Sequence, residues 1–341
     1  MTHVEQSNCL LALLRSAWHL PTGYDFKPLA ASEWQQLFRT ACDNNVRAIV
    51  ADGVRNAGLE VPRNVWLPWL AEVAAVEERY AEQREAMATL SAFFSAHGLP
   101  VLELKGGTLA ALYPEPKHRE STDLDIYIFG QHRQADALLR AEFGIDIMDD
   151  GYHHTKFAFC GVTVENHYAF LNTTVRNRGY EQRLQQHVPS ATFNALFLLR
   201  HMADHFASSR IGLRHLLDWM AFAEQARAEV DWDEVASAVA PMAQFVGAVQ
   251  TLVHRWLQQE PIGQLPYSHD EELLVRVAND IVYGEFAQRH HDNEDLSRLV
   301  WKWHRYHANS WKRHLVGNTA ADTLGAVLFH LRHPHTILHK S

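Results

Sequence analysis

Two stretches separated by a short loop decide how this chain is read: Leu104-Lys-Gly-Gly-Thr-Leu-Ala-Ala-Leu-Tyr113 and Arg119-Glu-Ser-Thr-Asp-Leu-Asp-Ile-Tyr-Ile128. Residues 123–129 alternate in polarity as a half-buried strand does. Successive side chains of a strand point to opposite faces, so Asp123 and Asp125 share one face while Leu124, Ile126 and Ile128 turn toward a core. Two carboxylates held so close repel each other unless a cation lies between them. Hard divalent ions such as Mg2+ take oxygen ligands and bridge carboxylates to substrate phosphates.

A D-x-D alone is common, and two solvated aspartates would read the same way, so its neighbours carry the weight. Residues 101–104 form a short apolar run, followed by the turn-like Lys105-Gly106-Gly107 and a helical stretch over 108–113. A glycine-rich turn from strand to helix lets backbone N–H groups approach a phosphate closely; a tight turn without a ligand is the plainer reading. Downstream, Val162-Thr-Val-Glu-Asn-His167 alternates so that Glu165 and His167 share a face. Glu165 fits a third metal ligand or a general base toward an attacking hydroxyl, and its plainer reading is a solvent-facing glutamate.

Composition sets the frame around these motifs. Of 341 residues, 47% are hydrophobic, 21% charged and 11% aromatic, enough apolar material for a sizeable core without staples. With 31 basic against 40 acidic residues, the net charge of −9 argues against broad, non-specific binding of nucleic acid. Cys9, Cys42 and Cys160 are scattered and odd in number, which points to reduced thiols and a cytoplasmic setting. The N-terminus lacks the pattern of a signal peptide, and no apolar run of about 20 residues stands out, so no membrane role is expected. The 23 histidines are scattered rather than set at ligand spacing.

Along the chain, helical periodicity is expected over 8–20, 32–57 and 65–97, then a helix over 131–142 and extended segments near 145–149, 153–160 and 162–170. From residue 192 the pattern is almost wholly helical, over 192–207, 211–228, 232–258, 269–287, 294–314 and 319–331. The expected fold class is α+β (mixed): a small mixed-sheet core at 98–190, an N-terminal helical region at 1–97 and a C-terminal helical domain at 191–341.

The order Lys105-Gly, Tyr113, Arg119, Asp123-x-Asp125 and then Glu165-x-His167 resembles the uncharacterised nucleotidyltransferase family of the DNA polymerase beta-like nucleotidyltransferase superfamily. Leu198-Leu-Arg-His-Met-Ala-Asp-His205 and Leu213-Arg-His-Leu-Leu-Asp218 are similar to that family's helical region. The resemblance covers roughly 95–225 well and the flanks loosely. It implies a metal-dependent enzyme that binds a nucleoside triphosphate (NTP, ATP among them) with Mg2+ or Mn2+ and transfers a nucleotide. Asp123 and Asp125 match the metal-binding pair and Glu165 the third acidic position. Gly106 and Gly107 match the phosphate-binding turn, although the superfamily's commoner Gly-Ser is here Gly-Gly-Thr, with Thr108 in place to supply the hydroxyl. Lys105 and Arg119 are in place to neutralise phosphate charge.

Other signals compete. His201 and His205 share a helix face, but the protease zinc motif's glutamate is absent, so rim or core histidines are expected there. Arg214 and Asp218 read as an i,i+4 ion pair. The aromatic-basic run from Trp301 to His307, with Trp311 to His314, could stack bases or cover a core. The expected partners are therefore an NTP and an acceptor that is a small molecule, peptide or protein rather than nucleic acid. A non-catalytic nucleotide-binding regulator and a phosphotransferase on the same site are the alternatives.

Overall fold

The computed structural model of the chain describes residues 2–149, 153–170, 189–284 and 303–317. Four helices lead: α1 (His3–Ala17), α2 (Ala31–Asp43), α3 (Arg47–Asn56) and α4 (Arg63–Ala96). A capping box between Thr2 and Glu5 starts α1. The single helix expected over 32–57 is two helices, because Asn45 adopts a positive φ of 53° and turns the chain. Asparagine tolerates that conformation better than most residues.

The sheet is built from β1 (Leu102–Glu103), β2 (Leu124–Tyr127), β3 (Met148–Asp149), β4 (His154–Phe159) and β5 (Val162–His167), with α5 (Gly106–Ala110) after β1 and α6 (His132–Phe143) after β2. Its spatial order is β1-β2-β5-β4-β3. β2 and β5 run parallel, and every other pairing is antiparallel. Parallel neighbours need a crossover, which α6 and the β3–β4 segment supply. The expected strand over 123–129 is shorter, because Phe129 and Gly130 take positive φ values and end it, while Asp123 stands just before it. Between β4 and β5, Cys160 and Gly161 both have positive φ, the geometry that matches strand twist in a two-residue hairpin.

One face of the sheet is apolar for the reason the alternation gives. Leu124, Ile126, Phe157, Phe159, Val162 and Val164 pack with Leu139 of α6 and Leu90 and Phe94 of α4. The helices form a second, larger core. They are α1 to α4 together with α7 (Ala191–Ser208), α8 (Leu213–Gln225), α9 (Trp232–Val239), α10 (Ala243–Leu257) and α11 (Glu271–Tyr283). At 34 residues, about 50 Å by the rise per residue, α4 serves both cores. Its Val65, Trp69 and Val73 lie in the helical core, and Ala86, Leu90 and Phe94 lie under the sheet. The chain is thus α+β with a five-stranded mixed sheet, as expected.

The helix expected over 232–258 breaks at Pro241 into α9 and α10. Contrary to expectation, Trp232–Leu257 is apolar enough by length and composition to cross a membrane, with mean hydropathy 1.3, but 61% of its apolar window is buried. The last described helix, α12 (Ser310–Leu315), puts part of the aromatic-basic run to structural use. Trp311 packs edge-on against Phe206 and lies under Arg276, and the buried Lys312 binds Asp280 at 2.6 Å and the Ser209 carbonyl at 2.8 Å. Trp301, the helix expected over 319–331 and much of that over 294–314 lie outside the described residues.

α1 crosses α3 at close range, with Gly53 against Leu13. A Cβ on Gly53 would lie 2.0 Å from the Leu13 carbonyl oxygen, backbone against backbone, so neither side can yield by a rotamer change. Gly53→Ala is expected to lower stability by about 1–3 kcal/mol or more, the usual cost of overpacking, read as a fall in the urea midpoint at unchanged slope.

Candidate active site

The other face of the sheet is polar. Parallel register sets Asp125 of β2 opposite Glu165 of β5, and Tyr127 opposite His167. On the far side of β5, antiparallel register sets Lys156 opposite Glu165 and His154 opposite His167. Three strands therefore present Asp125, Glu165, His167, Lys156 and His154 on one surface, with Asp123 at its edge. Of the three expected carboxylates, the structure sets Asp125 and Glu165 side by side and leaves Asp123 at the edge.

Lys105 reaches this face from an unusual backbone. Its φ of 59° and ψ of −80°, with Gly106 N–H donating to the Leu104 carbonyl at 2.8 Å, make a positive-φ γ-turn, a rare and strained form for a side-chain-bearing residue. That turn throws the ammonium across to Asp125 Oδ2 at 3.2 Å. His167 Nε2 meets the other Asp125 oxygen at 2.8 Å. Behind Lys105 stands His201 of α7, whose Nε2 is 3.1 Å from the ammonium. His205 packs on His201 with ring centroids 4.3 Å apart. The two histidines thus wall the site.

Charge state follows from these contacts. Burial works against ionisation of Asp125, but Lys105 and the His167 hydrogen bond outweigh it and hold this carboxyl far below the usual range. Asp123 goes the other way, raised by burial and then by the charge of Asp125. Glu165 is also raised, by burial and by both aspartates, although Lys156 lies 3.2 Å from its carboxylate. Burial and the Lys105 charge keep His201 neutral, and His205 falls to about 4 for the same reasons.

This donor set fits a hard divalent cation. Asp125, Glu165 and His167 offer ligand atoms within 4.8 Å of one another. The raised carboxyls of Asp123 and Glu165 show a face with more buried negative charge than its lysines offset. Among the described residues, Asp123 does not join that set of three, and it stands at the rim.

The glycine turn is arranged differently from an open cradle. Gly107 N–H donates to Glu103 at 2.5 Å, and Glu103 is also paired with Arg84 of α4. A Cβ on Gly107 would lie 2.1 Å from the Arg84 guanidinium, so glycine here makes room for the ion pair. Thr108 Oγ1 donates to the Lys105 carbonyl at 2.7 Å. Arg119 is not turned onto the acidic face. It is buried and donates to both oxygens of Asp218, at 2.7 and 2.9 Å, and to the Gly106 carbonyl at 3.3 Å. Tyr113 donates to the same Asp218 at 2.6 Å, and Arg214, the expected i,i+4 partner, stands further off at 3.5 Å.

Lys156, His154 and Glu103 entered the site without being singled out by sequence. Alternation along 153–160 does place His154 and Lys156 on one face, so that signal was present. The capture of Gly107 by Glu103 had none. Two cavities flank the site. One, of about 210 Å³, is lined by Arg47, Arg79, Arg119 and Arg214 with Glu72 and Glu120. The other, of about 270 Å³, is lined by Lys105, Thr108, Asn194, Phe197, Phe222 and Gln225.

An acidic face on a five-stranded mixed sheet, with helices packed around it, defines an α+β protein. A family model described as an uncharacterised nucleotidyltransferase matches residues 30–258, well over half of the chain and wider than the stretch that carried the resemblance. The chain belongs to that family of uncharacterised nucleotidyltransferases. No curated protein and no solved structure matches it significantly.

The buried Arg119–Asp218 pair ties the sheet's loop to α8, and losing one partner leaves the other charge uncompensated. Asp218→Ala is expected to cost about 3–5 kcal/mol in urea unfolding. Burial pushes the Asp218 carboxyl up, but Arg119 and Arg214 hold it down at about 2. A depressed folded value means that its contribution is complete above about pH 4, the unfolded range, and fades as pH falls toward 2. The gap between wild type and Asp218→Asn should close over that window.

Proposed function

We propose that the chain moves a nucleoside monophosphate from an NTP to an acceptor hydroxyl and releases pyrophosphate, with Mg2+ or Mn2+. The observation that carries this reading is the register of Asp125 against Glu165 on a buried polar face, with Asp123 at its edge. A bound divalent cation there would act as a Lewis acid toward phosphate and orient it. Asp125, Glu165 and Asp123 would hold it, with His167 fixing the position of Asp125 through the Nε2 contact.

The remaining roles belong to the chain's own groups. Lys105, 3.2 Å from Asp125, is placed to meet phosphate charge, held in direction by neutral His201. Glu165, beside Asp125 in the register, would take the proton of the attacking hydroxyl on a carboxylate oxygen that the cation does not engage. The cavity beside Lys105 seats the nucleoside, since Phe197 and Phe222 offer aromatic walls and Asn194 and Gln225 offer amides. Arg119 serves indirectly, by fixing Gly106 and hence the Lys105 turn.

Purified protein incubated with each NTP, Mg2+ or Mn2+ and a cell extract should release pyrophosphate and produce an adduct heavier by one nucleotide. A gain of a single phosphate instead would make it a phosphotransferase. Asp125→Asn and Glu165→Gln are each expected to lower transfer by about 100-fold or more while circular dichroism shows a folded chain. Full transfer by folded Asp125→Asn would overturn the assignment.

A further inference from the structure

The polar face does not stop at His167. His154 stands opposite it in the β4–β5 register, with ring centroids 5.2 Å apart. Strand alternation would send the preceding residue to the opposite face. His153 escapes that rule because it lies in a bend before β4. Its carbonyl accepts the Tyr168 amide at 2.9 Å and the Ala169 amide at 3.1 Å, which fixes the bend. The His153 ring then packs 4.5 Å from His154 and 5.4 Å from His167. One ring nitrogen from each of the three lies within 4.8 Å of the others.

We infer that His153, His154 and His167 form a binding site for a transition-metal ion of the Zn2+ class, adjoining the hard-cation position on the carboxylates and sharing His167 with its donor set. Imidazole nitrogen favours Zn2+, Co2+, Ni2+ and Cu2+, whereas Mg2+ takes oxygen, so the two positions differ in the ions they select. Zn2+–N bonds of about 2.0–2.1 Å put tetrahedral ligand nitrogens about 3.4 Å apart. From separations within 4.8 Å, the three nitrogens would have to draw together by up to about 1.4 Å to reach that spacing.

Two neighbours complete the arrangement. Asp125 engages His167 Nε2 at 2.8 Å, the carboxylate–imidazole pairing that orients a metal-bound histidine and raises its basicity. Glu165 Oε1 lies 3.5 Å from His154 Nε2 and brings an oxygen to the rim. These two carboxylates also offset the charge of a divalent ion. The site does not rest on the transferase reading, since its ligands and its test use no nucleotide.

The test is calorimetric titration of the chelator-stripped full chain with Zn2+ in excess Mg2+, paired with Co2+ titration followed by visible absorption. The expected result is one Zn2+ per chain that excess Mg2+ does not displace, and Co2+ bands of a tetrahedral, nitrogen-ligated ion. His153→Ala should weaken Zn2+ binding by about 10–100-fold or more. Asp123→Asn and His201→Ala, neither of them among the proposed ligands, should leave it unchanged. His154→Gln serves the same purpose if His153→Ala folds poorly. Unaltered Zn2+ affinity in a folded His153 or His154 variant, loss in His201→Ala, or displacement by Mg2+ would overturn the site.

Discussion

The parallel pairing of β2 with β5 is the constraint on which the polar face depends. It puts Asp125 directly across from Glu165, and it does so because α6 returns the chain over the apolar side of the sheet. A shift of one residue in that register would send one of the two carboxylates into the apolar core and bring Val164 or Ile126 to the polar face. The apolar alternation therefore polices the register. Hydrophobic packing under α4 and α6 opposes the repulsion that would otherwise drive the acidic strands apart.

What balances the negative charge on that face is a divided set of compensations. Asp125 is served by Lys105 and His167, and Glu165 by Lys156. Lys105 and Lys156 also draw Asp123 down, but burial and the charge of Asp125 outweigh them and it stays raised. Lys105 is delivered by a strained turn, and strain persists only where surrounding contacts over-determine it. Here those contacts are Glu103 on the Gly107 amide, Arg84 on Glu103 and Arg119 on the Gly106 carbonyl. Arg119 is in turn locked by Asp218. The helical core and the site are linked through that chain of contacts, which is why the helices are more than a coat around the sheet.

Much of the site was legible in the sequence, because a strand period of two and the pair Gly106–Gly107 are local signals. The faces assigned to Asp125, Glu165 and His167 follow from alternation, and the packing of Leu124 and Ile126 agrees with it. Arg119 was less legible. Its position beside the D-x-D motif made phosphate a natural partner, but Asp218, a hundred residues away in sequence, lies closer in space. A residue buried to 3% exposure cannot serve as an open phosphate clamp, and no local pattern reveals that. The same limit applies to His153, whose ring joins the polar face through a bend rather than through strand alternation.

The sequence by itself determined the α+β class, the family and which side chains of β2 and β5 share a face, because periodicity and motif spacing are written in neighbouring residues. Tertiary structure decided which charges meet. Lys105 meets Asp125 and His201, Glu103 takes the glycine turn's amide, and Asp218 takes Arg119. Those choices turn on desolvation, which depends on what packs over each group from distant parts of the chain.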